Sequence, residues 1–139
     1  MPLVRITLRD DTPAATRLAI ADGVHNAMVA TIGIRAGDRM QIIDQRPAGT
    51  VIADPDYLGV HRQNVVFVEI TLVRGRGTEK KRALYRAIAD ELVSVGVRAE
   101  DVTVVLTENG RDDWSVGNGE AQLLDTELLK RHGWTPPSD

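Results

Sequence analysis

Ile32-Gly33-Ile34-Arg35-Ala36-Gly37-Asp38 is answered 63 residues later by Val95-Gly96-Val97-Arg98-Ala99-Glu100-Asp101. In each copy two apolar residues flank a glycine, arginine and alanine follow, and an aspartate closes the stretch. Self-similarity at a fixed offset is the mark of a structural unit used twice. What lies on either side of each copy says what the unit is.

Upstream of the first copy, Leu18, Ala21, Val24, Met28 and Ile32 recur at three- and four-residue steps, the stripe of an amphipathic helix. Thr12 supplies an N-cap and Pro13 the first helical position, while Gly33 ends the helix. Before that helix, Val4, Ile6 and Leu8 alternate with Arg5 and Thr7, the period of a half-buried strand. After it, Met40 to Asp44 reads as a second strand. The second copy repeats the order. Val65 to Leu72 is the strongest strand, with Val66, Val68, Ile70 and Leu72 on one face. Thr78 to Val95 is helical, with Leu84, Ala87, Ile88, Leu92 and Val95 inward, and Val102 to Thr107 is a strand.

The order is therefore β-α-β, a loop of about twenty residues punctuated by Pro47, Gly49, Pro55 and Gly59, then β-α-β. The expected fold class is α+β: two pseudo-symmetric units, 2–64 and 65–124, sharing one mixed sheet within a single domain of 139 residues. A turn-rich segment runs from Gly110 to Gly119, and a polar tail, 125–139, carries Trp134. Both helices are expected on one face of the sheet, leaving the other uncovered and apolar. With no third long helix to cover it, self-association is the expected solution.

Bulk composition narrows the function. A net charge of −3 and only 4% aromatic residues argue against nucleic acid, which calls for a basic face and stacking platforms. There is no cysteine, hence no disulfide or thiolate metal site. No apolar run approaches a membrane span and the start lacks a signal pattern, so a soluble, cytoplasmic protein is expected. His25, His61 and His132 have no ligand spacing with a carboxylate, and Gly33, Gly75 and Gly77 do not form a phosphate loop. No metal or cofactor is expected.

The chain opens Met1-Pro2-Leu3. Removal of Met1 leaves a secondary amine at the start of a strand. A chain-terminal amine titrates at roughly 7.7–8.0, so it can act as acid, base or nucleophile and can condense with a carbonyl to an iminium. The alternative is a proline that merely begins an edge strand. Arg74 and Arg76 are two apart beyond a strand. If the chain stays extended there, both guanidiniums point one way and can grip one carboxylate; otherwise they belong to a solvated basic loop. Asp38 recurs as Asp101 and is either catalytic or a turn residue.

Four stretches in this order resemble the tautomerase superfamily, and most closely its double-length malonate semialdehyde decarboxylase branch. They are Met1-Pro2-Leu3, Asp38-Arg39-Met40-Gln41-Ile42, Arg74-Gly75-Arg76, and Glu108-Asn109-Gly110 running into Asp113-Trp114-Ser115. The likeness spans roughly Pro2 to Leu128. It implies a homotrimer whose sheets form a central barrel. It also implies a catalytic set of Pro2, Asp38, Arg74 and Arg76, the two arginines holding a carboxylate-bearing carbonyl substrate. The family's aromatic wall maps to Trp114-Ser115-Val116-Gly117-Asn118-Gly119 and to Leu123, so Trp114, Val116 and Leu123 are the expected wall here and three rings are missing. The implied activity is cofactor-independent decarboxylation of malonate semialdehyde or a related 3-oxo acid, with hydration of unsaturated acids as a further activity. Keto–enol tautomerisation of 2-oxo acids and a non-catalytic trimeric binding protein with a relic site are the alternatives.

Overall fold

A computed structural model describes residues 2–138; Met1, and with it the question of its removal, lies outside the described residues. Six strands and three helices follow in order: β1 (Leu3–Arg9), α1 (Ala14–Ile32), β2 (Gln41–Arg46), β3 (Asp56–Tyr57), β4 (Val60–His61), β5 (Val66–Val73), α2 (Thr78–Ser94), β6 (Val102–Asn109) and α3 (Thr126–Arg131). The main sheet is mixed, in the order β2-β1-β5-β6. β1 runs parallel to β2 and β5 parallel to β6, while β1 and β5 meet antiparallel at the centre. Each parallel pair is joined by its helix, as parallel strands require. The two β-α-β units are thus related by the antiparallel seam.

Val4, Ile6 and Leu8 of β1 and Val66, Val68, Ile70 and Leu72 of β5 point to one face and pack beneath both helices. α1 is squeezed between the sheet and α2, so its buried arc is wide: Ile20, Ala21, Val24, His25, Ala27, Met28 and Ile32. Leu18, expected inward, falls outside that arc and is exposed. The helices approach closely at Gly23, where a β-carbon would lie 3.0 Å from Glu91 Cβ. Pro13 caps α1 from extended backbone rather than opening it, and Gly33 ends it with φ 71°.

The uncovered face differs from expectation. It carries Arg5, Thr7, Asp44, Arg46, Glu69 and Thr71 between the apolar Leu3, Ile42 and Val105. Arg5 and Arg46 both pair with Asp44, at 3.3 and 3.1 Å. It is half polar because only the helix-covered side of each alternating strand lies in the core.

Two further differences concern connections. The long loop contains the β3–β4 hairpin, which turns at Leu58-Gly59 with both residues at positive φ. Leucine is a poor residue for that conformation, so the usual Asn-Gly signal is missing from the sequence. The tail holds α3, capped by the Asp125 carboxylate, which accepts from Leu128 N–H at 3.0 Å. Leu129 and Trp134 then join Val73, Trp114 and Leu123 in a small second core.

Candidate functional site

Strand register decides which residues meet. Val4 pairs with Gln41 and its N–H donates to the Met40 carbonyl at 3.0 Å, so Pro2 enters the sheet beside the Asp38–Met40 turn. On its other side Leu3 pairs with Thr71, which sets Pro2 alongside the last residues of β5, just ahead of Arg74. β5 and β6 end together, Val73 opposite Asn109. One end of the sheet therefore gathers Pro2, which is buried, with the turn holding Asp38, the arginine loop, and the Asn109–Trp114 segment.

The arginines do not continue the strand. β5 stops at Val73, and Gly75 takes φ 139°, so the alternation that would align Arg74 with Arg76 is broken. Arg74 is held by its backbone, its N–H donating to the Asn109 carbonyl at 2.8 Å. Its side chain is exposed and passes over Gly110, where a β-carbon would come within 3.2 Å of Arg74 Nη1 and 2.6 Å of an Asp112 carboxylate oxygen. Gly110 is a clearance that lets this guanidinium lie against the loop. Arg76 turns inward. Its Nε donates to the Ile32 carbonyl at 3.0 Å and its Nη1 to the Val73 carbonyl at 3.1 Å, tying the end of α1 to the end of β5. Burial lowers its pKa, and nearby Glu108 works against that shift. Glu108 is itself paired with Lys81 at 2.6 Å.

Asp38 is half-buried in a crevice it shares with Arg76, together with Ile34, Arg35, Trp134 and Pro137. Among the described residues its carboxylate makes no hydrogen bond or ion pair. Its turn is anchored instead by His25, buried in α1, whose Nε2–H donates to the Ala36 carbonyl at 2.8 Å. Trp114 and Val116 line a separate cleft of about 350 Å³ with Leu3, Met40, Thr71 and Asn109. Trp114 is oriented by its indole N–H, which donates to Asn109 Oδ1 at 2.7 Å. Leu123 is 2% exposed in the small second core, beneath the tail and away from that cleft.

The structure thus brings Asp38 to Arg76 and Trp114 to Val116, and sets Pro2 at the strand start between these groups. Arg35, His25, Gly110 and Trp134 carried no functional expectation from the sequence. His25 sits at a buried helix position, which was its signal; the contacts of Trp134 depend on a tail fold that the letters do not announce. Among the described residues no cluster of three or more histidine or acidic side chains could hold a metal ion, and no helix is long and apolar enough to cross a membrane.

A duplicated β-α-β sheet with a proline-led strand facing an aspartate turn and an arginine loop defines a tautomerase-type enzyme. Two family models, each described as "Tautomerase enzyme", match residues 38–117 and 2–61, and the chain belongs to that family. It is 38% identical over 127 residues to "Probable tautomerase YusQ" of Bacillus subtilis (strain 168), spanning 90% of this chain and 100% of that protein. Among solved structures, a malonate semialdehyde decarboxylase inhibited by 3-bromopropiolate is similar at 39% identity and TM-score 0.85, covering 90% of this chain and 96% of that one. A wild-type fused 4-OT described as a symmetric trimer is similar at 27% identity and TM-score 0.71, covering 85% of this chain and 94% of that one.

Proposed function

We propose that the protein is a cofactor-independent lyase that decarboxylates malonate semialdehyde or a related small 3-oxo acid. The observation that carries this reading is the register that sets Pro2 beside both the Asp38 turn and the arginine loop, in a chain so similar to a malonate semialdehyde decarboxylase. With Met1 removed, the Pro2 ammonium donates a hydrogen bond to the aldehyde oxygen. Arg74, and the donors of Arg76 not used on Ile32 and Val73, hold the carboxylate with the breaking bond perpendicular to the carbonyl plane. The bond from the α-carbon to the carboxylate carbon breaks, and carbon dioxide leaves. Its electron pair passes into the enol stabilised by Pro2, and protonation at the α-carbon gives acetaldehyde. An iminium at Pro2 is a stronger sink for the same pair. The half-apolar cleft around Trp114 and Val116 favours a leaving group that is losing its charge. Asp38 orients the ammonium, or activates water when an unsaturated acid is hydrated.

Proton NMR of malonate semialdehyde with methionine-free protein tests this. Acetaldehyde formed faster than in the protein-free control is the expected result; equal rates refute the reading. Activity should fall as pH rises through the Pro2 titration, because the charged amine is the working form.

A second reading, keto–enol tautomerisation of a 2-oxo acid, is favoured by the relatives described as probable tautomerases. It requires a neutral, basic Pro2, and activity then falls as pH drops. A homotrimer belongs to the same proposal. It is supported by the trimeric neighbour and by Leu3, Ile42 and Val105 exposed on the uncovered sheet face. Sedimentation equilibrium at three times the chain mass is the expected outcome, and a monomer mass contradicts it.

A further inference from the structure

Residues 132–138 cross the Asp38 side of the site as a strap with four attachments. Arg35 donates a hydrogen bond to the His132 carbonyl. Trp134 packs with Val73, Leu123 and Leu129, and the Arg111 guanidinium lies 5.5 Å from its ring centroid. Pro137 sits directly on Gly75, where an added β-carbon would be 3.1 Å from Pro137 Cβ and 3.2 Å from its carbonyl oxygen. Lys80 Nζ donates to the Ser138 carbonyl at 2.7 Å. A stretch held by packing, a cation–π contact and charged hydrogen bonds at both ends is a fixed wall rather than a frayed end.

That wall has a consequence for the crevice beneath it. Between Asp38 and Arg76 on one side and Trp134, Thr135 and Pro137 on the other, about 20 Å³ is left, room for roughly one water molecule. The Trp114 side of the same sheet end is open by comparison, at about 350 Å³. Both family matches end by residue 117, so the strap lies outside them. About a tenth of this chain also has no counterpart in a relative that is matched over its whole length.

We propose that Trp134 and the strap it anchors are the specificity determinant that restricts the carboxylate site at Arg76 to short acids. The inference rests on the reading of Arg76 as a carboxylate-binding residue, although not on the decarboxylation step. A two- to four-carbon acid ends within the site. A longer chain meets Trp134 and Pro137 and has nowhere to extend.

The test is binding of acetate, butyrate and hexanoate to the full protein, to a chain ending at His132, and to Trp134→Ala. Binding is followed by the arginine Nε resonances, with Arg76 assigned. The full protein should bind hexanoate about tenfold or more weakly than butyrate, a gap of about 1.4 kcal/mol. In both altered proteins that gap should close, because the added methylenes then gain apolar contact without a clash. Trp134→Ala keeps the chain at full length and carries the test if the shortened protein does not fold. The same length dependence in all three proteins overturns the proposal, as does failure of every acid to shift the Arg76 resonance. Malonate semialdehyde turnover is measured in parallel. Length-dependent binding without acetaldehyde removes the decarboxylase reading and leaves the strap's role standing.

Discussion

The two turns that follow the helices differ by little in sequence and by much in use. In the second half, Asp101 is 3% exposed, and its carboxylate accepts the N–H groups of Gln63 and Asn64 at 2.8 and 3.1 Å. Arg98, from the same turn, faces it at 3.8 Å. In the first half, Asp38 takes on none of this work and shares its crevice with Arg76. Arg35, the counterpart of Arg98, reaches out of its turn to the strap. The helix position that is His25 in α1 is Ile88 in α2, buried completely. His25 steadies the Asp38 turn; Ile88 fills core. Where β1 is led by Pro2, the second unit has Val65, an internal residue that can never offer an amine. Duplication supplies two equivalent sheet ends. Only one of them can carry a chain-terminal amine, and at the other the matching aspartate is committed to holding a loop.

The most severe way to probe this asymmetry is at Pro2. In methionine-free protein, Pro2→Ala should lower kcat by about 10²- to 10⁴-fold, the usual range for a positioned proton donor. Rapid-quench turnover measures it, and a loss under threefold breaks the proposed division of labour. Arg74→Ala should cut kcat/KM by about 10- to 100-fold, the worth of a hydrogen bond to a charged group, while Tm stays put because the side chain is exposed. Arg76→Ala sharpens the contrast. It should lose similar activity and also about 1–2 kcal/mol of stability, since the Ile32 and Val73 carbonyls lose their donor. Urea unfolding of the two variants side by side separates them. Gly23→Val, far from either turn, should cost about 1–3 kcal/mol by overpacking α1 against Glu91 and leave kcat of the folded protein unchanged.

The elements were legible because their causes are local. Apolar alternation marks β1 and β5, the spacing of Leu84, Ile88 and Leu92 marks α2, and the repeated glycine–arginine–aspartate stretch marks the pseudo-symmetry. Boundaries moved by one or two residues. The sheet end that holds the site was legible too, since Pro2 and the resemblance both point to it. What the letters did not carry were outcomes of tertiary contact. Asp38 and Asp101 look alike in sequence, and only the loop at Gln63 and Asn64 tells them apart. The arginine pair depended on an extended backbone that Gly75 interrupts. The uncovered sheet face is half polar because its arginines find Asp44 on the neighbouring strand. Leu123 and Trp134 meet only because α3 folds the tail back over Val73.

The most direct test of the central claim, that one half performs chemistry while its twin is scaffold, is to make Asp38→Ala and Asp101→Ala and measure both unfolding free energy and malonate semialdehyde turnover in each. Asp101→Ala should lose about 2–4 kcal/mol, two backbone donors and a buried arginine being left without their acceptor, and the folded protein should keep its kcat. Asp38→Ala should change stability by no more than about 0.5 kcal/mol and lose turnover by about tenfold or more. The reverse pattern, a destabilised Asp38 variant that turns over normally beside a stable Asp101 variant that does not, would contradict the account.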